Sequence, residues 1–266
     1  MLIHQRPSGV DFFCAPFAAI EANTPVYFPN ALYYADTIGT VNYHKEFDMN
    51  QEIPPLDPHP LSEYVAWAGG RNREPILGVL KDKLPKDPER ILEMASGSGM
   101  HINYFAPHFD HLHFQPSDRD IEVFDNIKKL TGNLGNDNIA DPVHLDLTDP
   151  ETWFNPGPEK SFAAIFCINI FQVAPISIAD GMMQCAANLL KDDGFLLIYG
   201  PFRIEGQFST ESNKTFHETL SSAGVSEWGL KDIADLKKAA AKHGLELKEK
   251  IDMPSNNFSL IFGKIA

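Results

Sequence analysis

The sequence predicts an α/β fold with one seven-stranded, mostly parallel sheet, helices on both faces, an antiparallel C-terminal hairpin and an N-terminal extension. From about residue 61 onward, short apolar runs of strand length alternate with stretches of helical spacing, which is typical of parallel strands joined by helices. The last two runs are separated only by residues 252–257, with Pro254 in the turn, so they are too close for a crossover helix and predict a hairpin.

Each predicted element follows from its local pattern. The predicted strands are residues 90–94, 112–115, 142–145, 162–168, 195–199, 245–251 and 258–262. Apolar residues at helical spacing predict a helix around 73–84 and further helices through 123–130, 182–189 and 233–240. Ser177 and Asp232 each precede an acidic residue by three positions, which indicates that a helix begins there.

The first 60 residues differ from the rest in composition. They hold eight of the 20 prolines and nine of the 29 aromatic residues, with seven acidic side chains against two basic ones. Aromatic side chains supply apolar area for docking, whereas disordered segments are poor in them. We therefore expect residues 1–60 to form an ordered arm or lid, with the Pro-rich stretch 53–60 as its connector, and residues 61–266 to form the main domain.

Composition and charge argue against several classes of protein. The 266 residues are 43% apolar, enough for a sizeable core, and carry a formal net charge of −14. So acidic a chain repels phosphate backbones and anionic lipid, and we expect neither a nucleic acid nor a membrane as partner. The three cysteines have no metal-type spacing and indicate a reducing compartment, so we expect a cytoplasmic protein without a metal site.

The sharpest local signal is the segment 91–101, in which a strand containing Glu93 leads into a loop of small residues and then into a helix. Ala95, Gly97 and Gly99 would let a ligand approach the backbone, and the N-terminus of the helix offers N–H groups to an anion. A glycine turn without a ligand is the alternative interpretation.

Polar residues at the ends of the next strands support the ligand hypothesis. Asp118 lies 21 residues after Gly97, where nucleotide-binding folds of this kind place a carboxylate for ribose hydroxyls. Asp146 is a candidate acceptor for an adenine amino group, Leu147 a candidate to pack on the ring, and Asn169 ends the fourth strand. A turn or capping role is the alternative for Asp118, a turn for Asp146, and a hydrogen bond to the backbone for Asn169.

From residue 71 to 263 the chain resembles a methyltransferase-like family known as DUF938. The matching segments are Arg71-Asn72-x-Glu-Pro-Ile76, Leu92-Glu-Met-Ala-Ser-Gly-Ser-Gly99, Gln115-Pro-Ser-Asp118, His144-Leu-Asp146, Tyr199-Gly-Pro201, Ser212-Asn213, Glu227-Trp-Gly-Leu-Lys-Asp232 and Met253-Pro-x-Asn-Asn257. The resemblance implies a Rossmann-like class I methyltransferase fold that binds S-adenosyl-L-methionine. It places Glu93, Gly97, Gly99, Asp118, Asp146 and Asn169 at matching cofactor positions. We expect Arg71, Asn72, Ala95 and Leu147 to contact the cofactor as well.

The sequence departs from the family pattern after the fourth strand. Gln172, Ala174 and Ile176 replace a His, a Ser and a Trp, and Gly70 replaces a Glu that usually precedes the Arg-Asn pair. These changes fall where an acceptor pocket would lie. We therefore expect the substrate to differ from that of other family members.

The leading hypothesis is methyl transfer to an oxygen, nitrogen or carbon atom of a small or medium-sized apolar acceptor, with S-adenosyl-L-homocysteine as product. His101, Gln172 and Tyr199 are the candidate catalytic residues, and only His101 has an ordinary pKa near neutrality. The alternatives are an enzyme that uses the cofactor for other chemistry and a non-catalytic binding protein on the same fold. The aromatic arm also allows a homodimer.

Overall fold

The computed structural model describes residues 53–265 and, before them, only the backbone of two short strands, Tyr27–Phe28 and Ala31–Leu32. The chain divides into two units, Met1–His44 and Lys45–Ala266. In the first unit the two short strands pair in antiparallel fashion. The rest of the expected arm, up to residue 52, lies outside the described residues, and the domain boundary at residue 60 stays a prediction.

The second unit contains one seven-stranded mixed sheet, as the sequence predicts. Its strands are β1 (Arg90–Met94), β2 (His113–Asp118), β3 (Val143–His144), β4 (Phe162–Ile168), β5 (Leu190–Gly200), β6 (Leu245–Met253) and β7 (Asn257–Lys264). They lie in the order β3-β2-β1-β4-β5-β7-β6. The first five are parallel, and β7 runs antiparallel to both β5 and β6, so the predicted C-terminal hairpin is confirmed.

The described α-helices are α1 (Glu63–Lys83), α2 (Met100–Phe105), α3 (Phe124–Leu134), α4 (Ile178–Leu189), α5 (Glu211–Ser222) and α6 (Ile233–Lys242). Two clusters of buried apolar residues flank the sheet. One includes residues of α4 and α6, the other residues of α1 and α2. Each cluster buries the apolar stripe of two helices against the strands, which is the main source of stability of this layered fold. None of the helices in the described residues is long and apolar enough to cross a membrane.

Helix α1 begins ten residues earlier than the predicted start at residue 73. Ser62 caps it, since its Oγ accepts a hydrogen bond from the N–H of Val65 at 3.1 Å. The helix also runs through Pro75, which has no N–H to donate to the carbonyl of Arg71. A cap before a polar, Pro-containing turn therefore extends the helix beyond its apolar pattern.

Three strands and one helix also differ from the predicted elements. Strand β2 continues through Pro116 to Asp118, and β5 begins at Leu190 with a register irregularity, whereas β3 is reduced to two residues. Helix α5 was not predicted, because only Asn213 and Leu220 of its residues are buried.

Both predicted helix starts are confirmed. The side chain of Asp232 accepts the N–H of Ala234 and caps α6. Helix α4 begins directly after Ser177, although Ser177 has helical dihedral angles and makes no side-chain capping bond.

The strand order indicates where in the sheet a binding site begins. After β1 the chain adds β2 and β3 on one side and then crosses to β4 on the other, so the carboxyl ends of β1 and β4 are adjacent at a topological switch point. Met94 pairs with Cys167 in this register. Beyond the two strands, Ala95 (φ 55°) and Asn169 (φ 58°) both adopt the left-handed conformation, which is uncommon for residues with a side chain and concentrates at functional sites.

Candidate functional site

The glycine loop between β1 and α2 has the backbone geometry that the sequence suggests. Gly97 (φ 53°) and Gly99 (φ 77°) are left-handed. A β-carbon on Gly99 would lie 3.0 Å from Ile127 of α3, so this glycine also permits helix packing. At Gly97 the nearest group is the Cβ of Pro60, 3.5 Å away, so the segment before α1 lies over the loop.

Asp118 fastens this loop to the end of β2. Its Oδ2 accepts the N–H of Gly97 at 2.8 Å, and its Oδ1 accepts the N–H of Asp120 at 2.9 Å. An ionised carboxylate has about four acceptor positions, so acceptor capacity remains for a ligand. Burial raises the pKa of Asp118, although these backbone hydrogen bonds oppose the rise. The N–H of Gly97 is donated to Asp118 and that of Gly99 to Ser96 O, so neither is available to a ligand.

Glu93 lies beneath the loop and is 2% exposed. Its Oε2 is buried without a hydrogen-bond partner among the described residues. Burial raises the pKa of Glu93 to about 8; the negative charge of Asp118 adds to the rise and a hydrogen bond with Ser96 opposes it. A buried carboxyl that lacks a donor is suited to a ligand group that brings one, such as an ammonium group or a hydroxyl.

Asp146 and Leu147 follow β3. Burial tends to raise the pKa of Asp146, but the N–H and hydroxyl of Thr148 both donate to its Oδ1, at 2.8 and 2.7 Å, and the net effect is a lowered pKa. Leu147 is only 8% exposed and packs in the core cluster of α4 and α6, which leaves little of its side chain for an aromatic ring. Asp146 is therefore ionised, while Leu147 acts mainly as a core residue.

A cavity of about 410 Å³ lies beside the switch point. It brings together five of the predicted site residues, namely Arg71, Asn72, Asn169, Gln172 and Tyr199. The predicted residues of the glycine loop and those after β2 and β3 do not line it. The site therefore has two adjacent parts, a carboxylate-rich part at the ends of β1, β2 and β3 and a separate cavity that begins at Asn169.

His101 does not line the cavity. Its Nε2 lies 2.7 Å from Oδ1 of Asn72, which does line it. Burial, together with the charge of Arg73, lowers the pKa of His101 to about 4. The ring is therefore neutral near pH 7, and its Nε2–H donates to Asn72. These positions favour a positioning role for His101 over general-base catalysis.

Tyr199 and Gln172 also line the cavity. Tyr199 is 3% exposed, burial raises the pKa of its phenol, and its hydroxyl makes no hydrogen bond to the described residues. The Oε1 of Gln172 lies 3.7 Å from the position that a β-carbon on Gly200 would take. Both side chains can orient a ligand, but neither is a base near neutral pH.

The cavity contains residues that were not singled out as site residues from the sequence. They are Tyr64 and Trp67 of α1, Ser212, Asn213 and Phe216 of α5, and Ser255 and Asn257 of the hairpin turn. The Nδ2 of Asn213 donates to the carbonyl of Asn256 at 3.0 Å and so joins α5 to this turn. The sequence signal for these residues is the family resemblance, which includes the segments Ser212-Asn213 and Met253–Asn257.

The arrangement fits a nucleoside that carries a charged amino-acid group. The carboxyl groups of Glu93 and Asp118, at the ends of β1 and β2, suit an ammonium group and ribose hydroxyls. The Oε2 of Glu93, which has no hydrogen-bond partner, indicates a missing donor. Among residues 53–265, no three His, Cys, Asp or Glu side chains are grouped in a way that could hold a metal ion.

Comparisons with solved structures show the same architecture. The mitomycin 7-O-methyltransferase MmcR is 11% identical, with a TM-score of 0.62 over 76% of this chain and 56% of that one. CalO1, a methyltransferase in calicheamicin biosynthesis in its SAH-bound form, is 13% identical, with a TM-score of 0.62 over 76% and 56%. An O-methyltransferase family protein from Burkholderia thailandensis is 16% identical, with a TM-score of 0.62 over 77% and 59%.

The chain thus spans little more than half the length of these structures. At such identities the likeness shows the fold, which is the Rossmann-like class I methyltransferase fold expected from the sequence. A sequence model described as "Protein of unknown function (DUF938)" matches residues 63–264. The match covers most of the chain and confirms the predicted resemblance, so the protein belongs to the DUF938 family.

Proposed function

We propose that the protein is an S-adenosyl-L-methionine-dependent methyltransferase that acts on a small or medium-sized apolar acceptor. One observation carries the proposal. The hydrogen bond between Gly97 and Asp118 holds a glycine loop and a buried carboxylate together at the switch point, and a cavity for a second molecule opens beside them at Asn169.

The residues at the strand ends would hold the cofactor. Asp118 has acceptor positions for ribose hydroxyls, Glu93 lacks the donor that an ammonium group would bring, and Asp146 presents an ionised carboxylate after β3. When bound, S-adenosyl-L-methionine supplies a methyl group on a positively charged sulfur. We place that sulfur near Asn169, because this residue follows β4, the strand paired with β1, and also lines the cavity.

The protein would contribute positioning more than acid–base chemistry. Holding two reacting groups in line supplies a large part of the rate enhancement in such reactions, on the order of 7–11 kcal/mol for well-oriented pairs. Gln172 and Tyr199 line the cavity and can orient an acceptor, and so can Asn72, which is fixed by His101.

Calorimetric titration with S-adenosyl-L-methionine and S-adenosyl-L-homocysteine tests the cofactor site. We expect Asp118→Ala to weaken binding by about 1–3 kcal/mol, since it removes one or two hydrogen bonds to a ribose. Asp120→Ala is the matched control, because its side chain caps Glu122 and does not contact Gly97. If the folded wild type binds neither compound, the proposal fails and a non-catalytic binding protein becomes the better hypothesis.

A further inference from the structure

The cavity wall formed by α1 has hydrogen-bond donors without acceptors. The guanidinium of Arg71 lies over the ring of Trp67, 5.0 Å from its centroid, and makes no hydrogen bond or ion pair with residues 53–265. The indole Nε1 of Trp67 is buried and also lacks an acceptor there. Asn72 uses its Oδ1 for His101, and its amide nitrogen has no acceptor in the described chain.

Unpaired donors in a partly desolvated site are costly unless a ligand supplies acceptors. A buried donor without a partner costs about 1–3 kcal/mol, and a guanidinium matches the two oxygens of a carboxylate in a fork geometry. The stack on Trp67 holds the Arg71 fork in place before a ligand arrives, which reduces the entropy lost on binding.

The charge balance of the wall points the same way. Of the residues described as lining the cavity, Arg71 is the one with a formal charge, and none is Asp, Glu or His. A cationic ligand would meet Arg71 without a compensating carboxylate. An anionic ligand would find one cation and several neutral donors. The remaining lining is largely apolar and aromatic, with Tyr64, Trp67 and Phe216 among its members.

We propose that the acceptor held in this cavity is an organic acid with an apolar or aromatic body, and that Arg71 binds its carboxylate. This inference rests on the proposed function and adds the chemical class of the acceptor. The cavity volume of about 410 Å³ lies in the range of about 300–1,000 Å³ usual for small-molecule sites. The sequence had assigned Arg71 to the cofactor, but it lies in a cavity that the glycine loop, Asp118 and Asp146 do not line.

An anionic acceptor also suits a site that lacks a general base. If a carboxylate oxygen attacks, the new bond joins that oxygen to the methyl carbon, and the electron pair of the broken carbon–sulfur bond stays on sulfur. The products are a methyl ester and S-adenosyl-L-homocysteine, and no proton has to leave. Neither neutral His101 nor the Tyr199 phenol is then required to act as a base.

Three probes of matched shape test this class by calorimetry on the full-length protein: 4-phenylbutanoate, 4-phenylbutanamide and 4-phenylbutylamine. We expect the carboxylate to bind at least about tenfold more tightly than the amide and the amine, as a charge-assisted pair would give. Arg71→Gln should abolish this preference. Arg73→Gln is the control, since it removes the same charge from the same helix, but Arg73 lies over the Tyr104 ring, 4.5 Å from its centroid, and does not line the cavity.

A parallel titration with S-adenosyl-L-homocysteine separates the two proposals. Arg71→Gln should change that affinity less than about threefold if Arg71 serves the acceptor. If Arg71→Gln no longer binds S-adenosyl-L-homocysteine but still prefers the carboxylate probe, Arg71 serves the cofactor and the inference is overturned. Equal binding of all three probes, or tighter binding of the amine, would also overturn it. A wild type that prefers the carboxylate but binds no cofactor would refute the proposed methyltransferase and leave the anion site standing.

Discussion

The Nε2 of His101 lies 2.7 Å from the Oδ1 of Asn72, and this hydrogen bond joins α2, at the end of the glycine loop, to α1, which forms one wall of the cavity. It links the two parts of the site through a pair of side chains. Because His101 is neutral near pH 7, its Nε2–H can donate to Asn72 there.

The pH dependence of stability should reveal this pair. His101 has a pKa of about 4 in the folded protein, against about 6.5 in an unfolded chain. The unfolded state therefore binds more protons between these values, and the stabilising contribution, fully present above pH 6.5, is lost as the pH falls toward 4. We expect His101→Gln to flatten this fall in urea unfolding at pH 7, 6 and 5. The exposed His113→Gln should leave the fall unchanged, and an equally steep profile in His101→Gln would contradict the assignment.

The fold should also depend on Asp118, in addition to its proposed role in ligand binding. Two backbone N–H groups, of Gly97 and Asp120, lose their acceptor in Asp118→Ala. We expect the free energy of unfolding in water to fall by about 1–2 kcal/mol. Asp118→Asn should lose less, because an amide oxygen can still accept one of the two. Unfolding midpoints in urea measure both, and an Ala variant as stable as wild type would show that the carboxylate does not hold the loop.

Glu93 should make the free protein less stable at higher pH. Its pKa is about 8 when folded and about 4.3 when unfolded, so the folded state binds more protons between these values. The resulting stabilisation is full below pH 4.3 and is lost as the pH rises through 8. Glu93→Gln should therefore gain stability over wild type from pH 5 to pH 8, measured by thermal unfolding. The exposed Glu122→Gln serves as control, and a gain that does not grow with pH would contradict a protonated Glu93.

A ligand ammonium beside Glu93 should also release a proton. The positive charge would favour the ionised carboxyl, so binding of S-adenosyl-L-homocysteine near pH 7 should release a proton from wild type and less from Glu93→Gln. Calorimetry in two buffers of different ionisation enthalpy measures this release. An equal release from both proteins would place the ammonium elsewhere.

Local pattern predicted the centre of the sheet better than its surroundings. Strands β1 and β4 have the predicted bounds, because both are short apolar runs buried on two faces. Helix α5 lacks such a stripe and was missed. The start of α1 depends on the Ser62 cap and not on apolar spacing, and so was placed too late.

The site residues also differ in how well the sequence predicts them. Residues at strand ends, such as Asp118 and Asn169, could be placed from topology alone, because the ends of parallel strands meet at one edge. The pairing of His101 with Asn72 spans 29 residues, and that of Asn213 with Asn256 spans 43. Neither separation follows from any local period, so the neutral histidine and the far wall of the cavity required the structure.

The segment after β3, where we propose that adenine binds, should respond to a glycine in α4. A β-carbon on Gly181 of α4 would lie 1.8 Å from the backbone oxygen of Leu147, and backbone cannot move aside as a flexible side chain can. Gly181→Ala must therefore shift the segment that follows β3, including Asp146. We expect a loss of about 1–3 kcal/mol in unfolding free energy, as for overpacked sites.

Gly78→Ala is the matched control. Gly78 is exposed in α1 with nothing within 4 Å of an added β-carbon, so helix propensity should give a gain of about 0.5–1 kcal/mol. If the segment after β3 contacts the cofactor, Gly181→Ala should also weaken binding of S-adenosyl-L-homocysteine, whereas Gly78→Ala should not. Urea unfolding and calorimetry on both variants measure these effects. Full cofactor affinity in a destabilised Gly181→Ala would separate Asp146 from the binding site, because the same displacement that strains the fold moves this carboxylate.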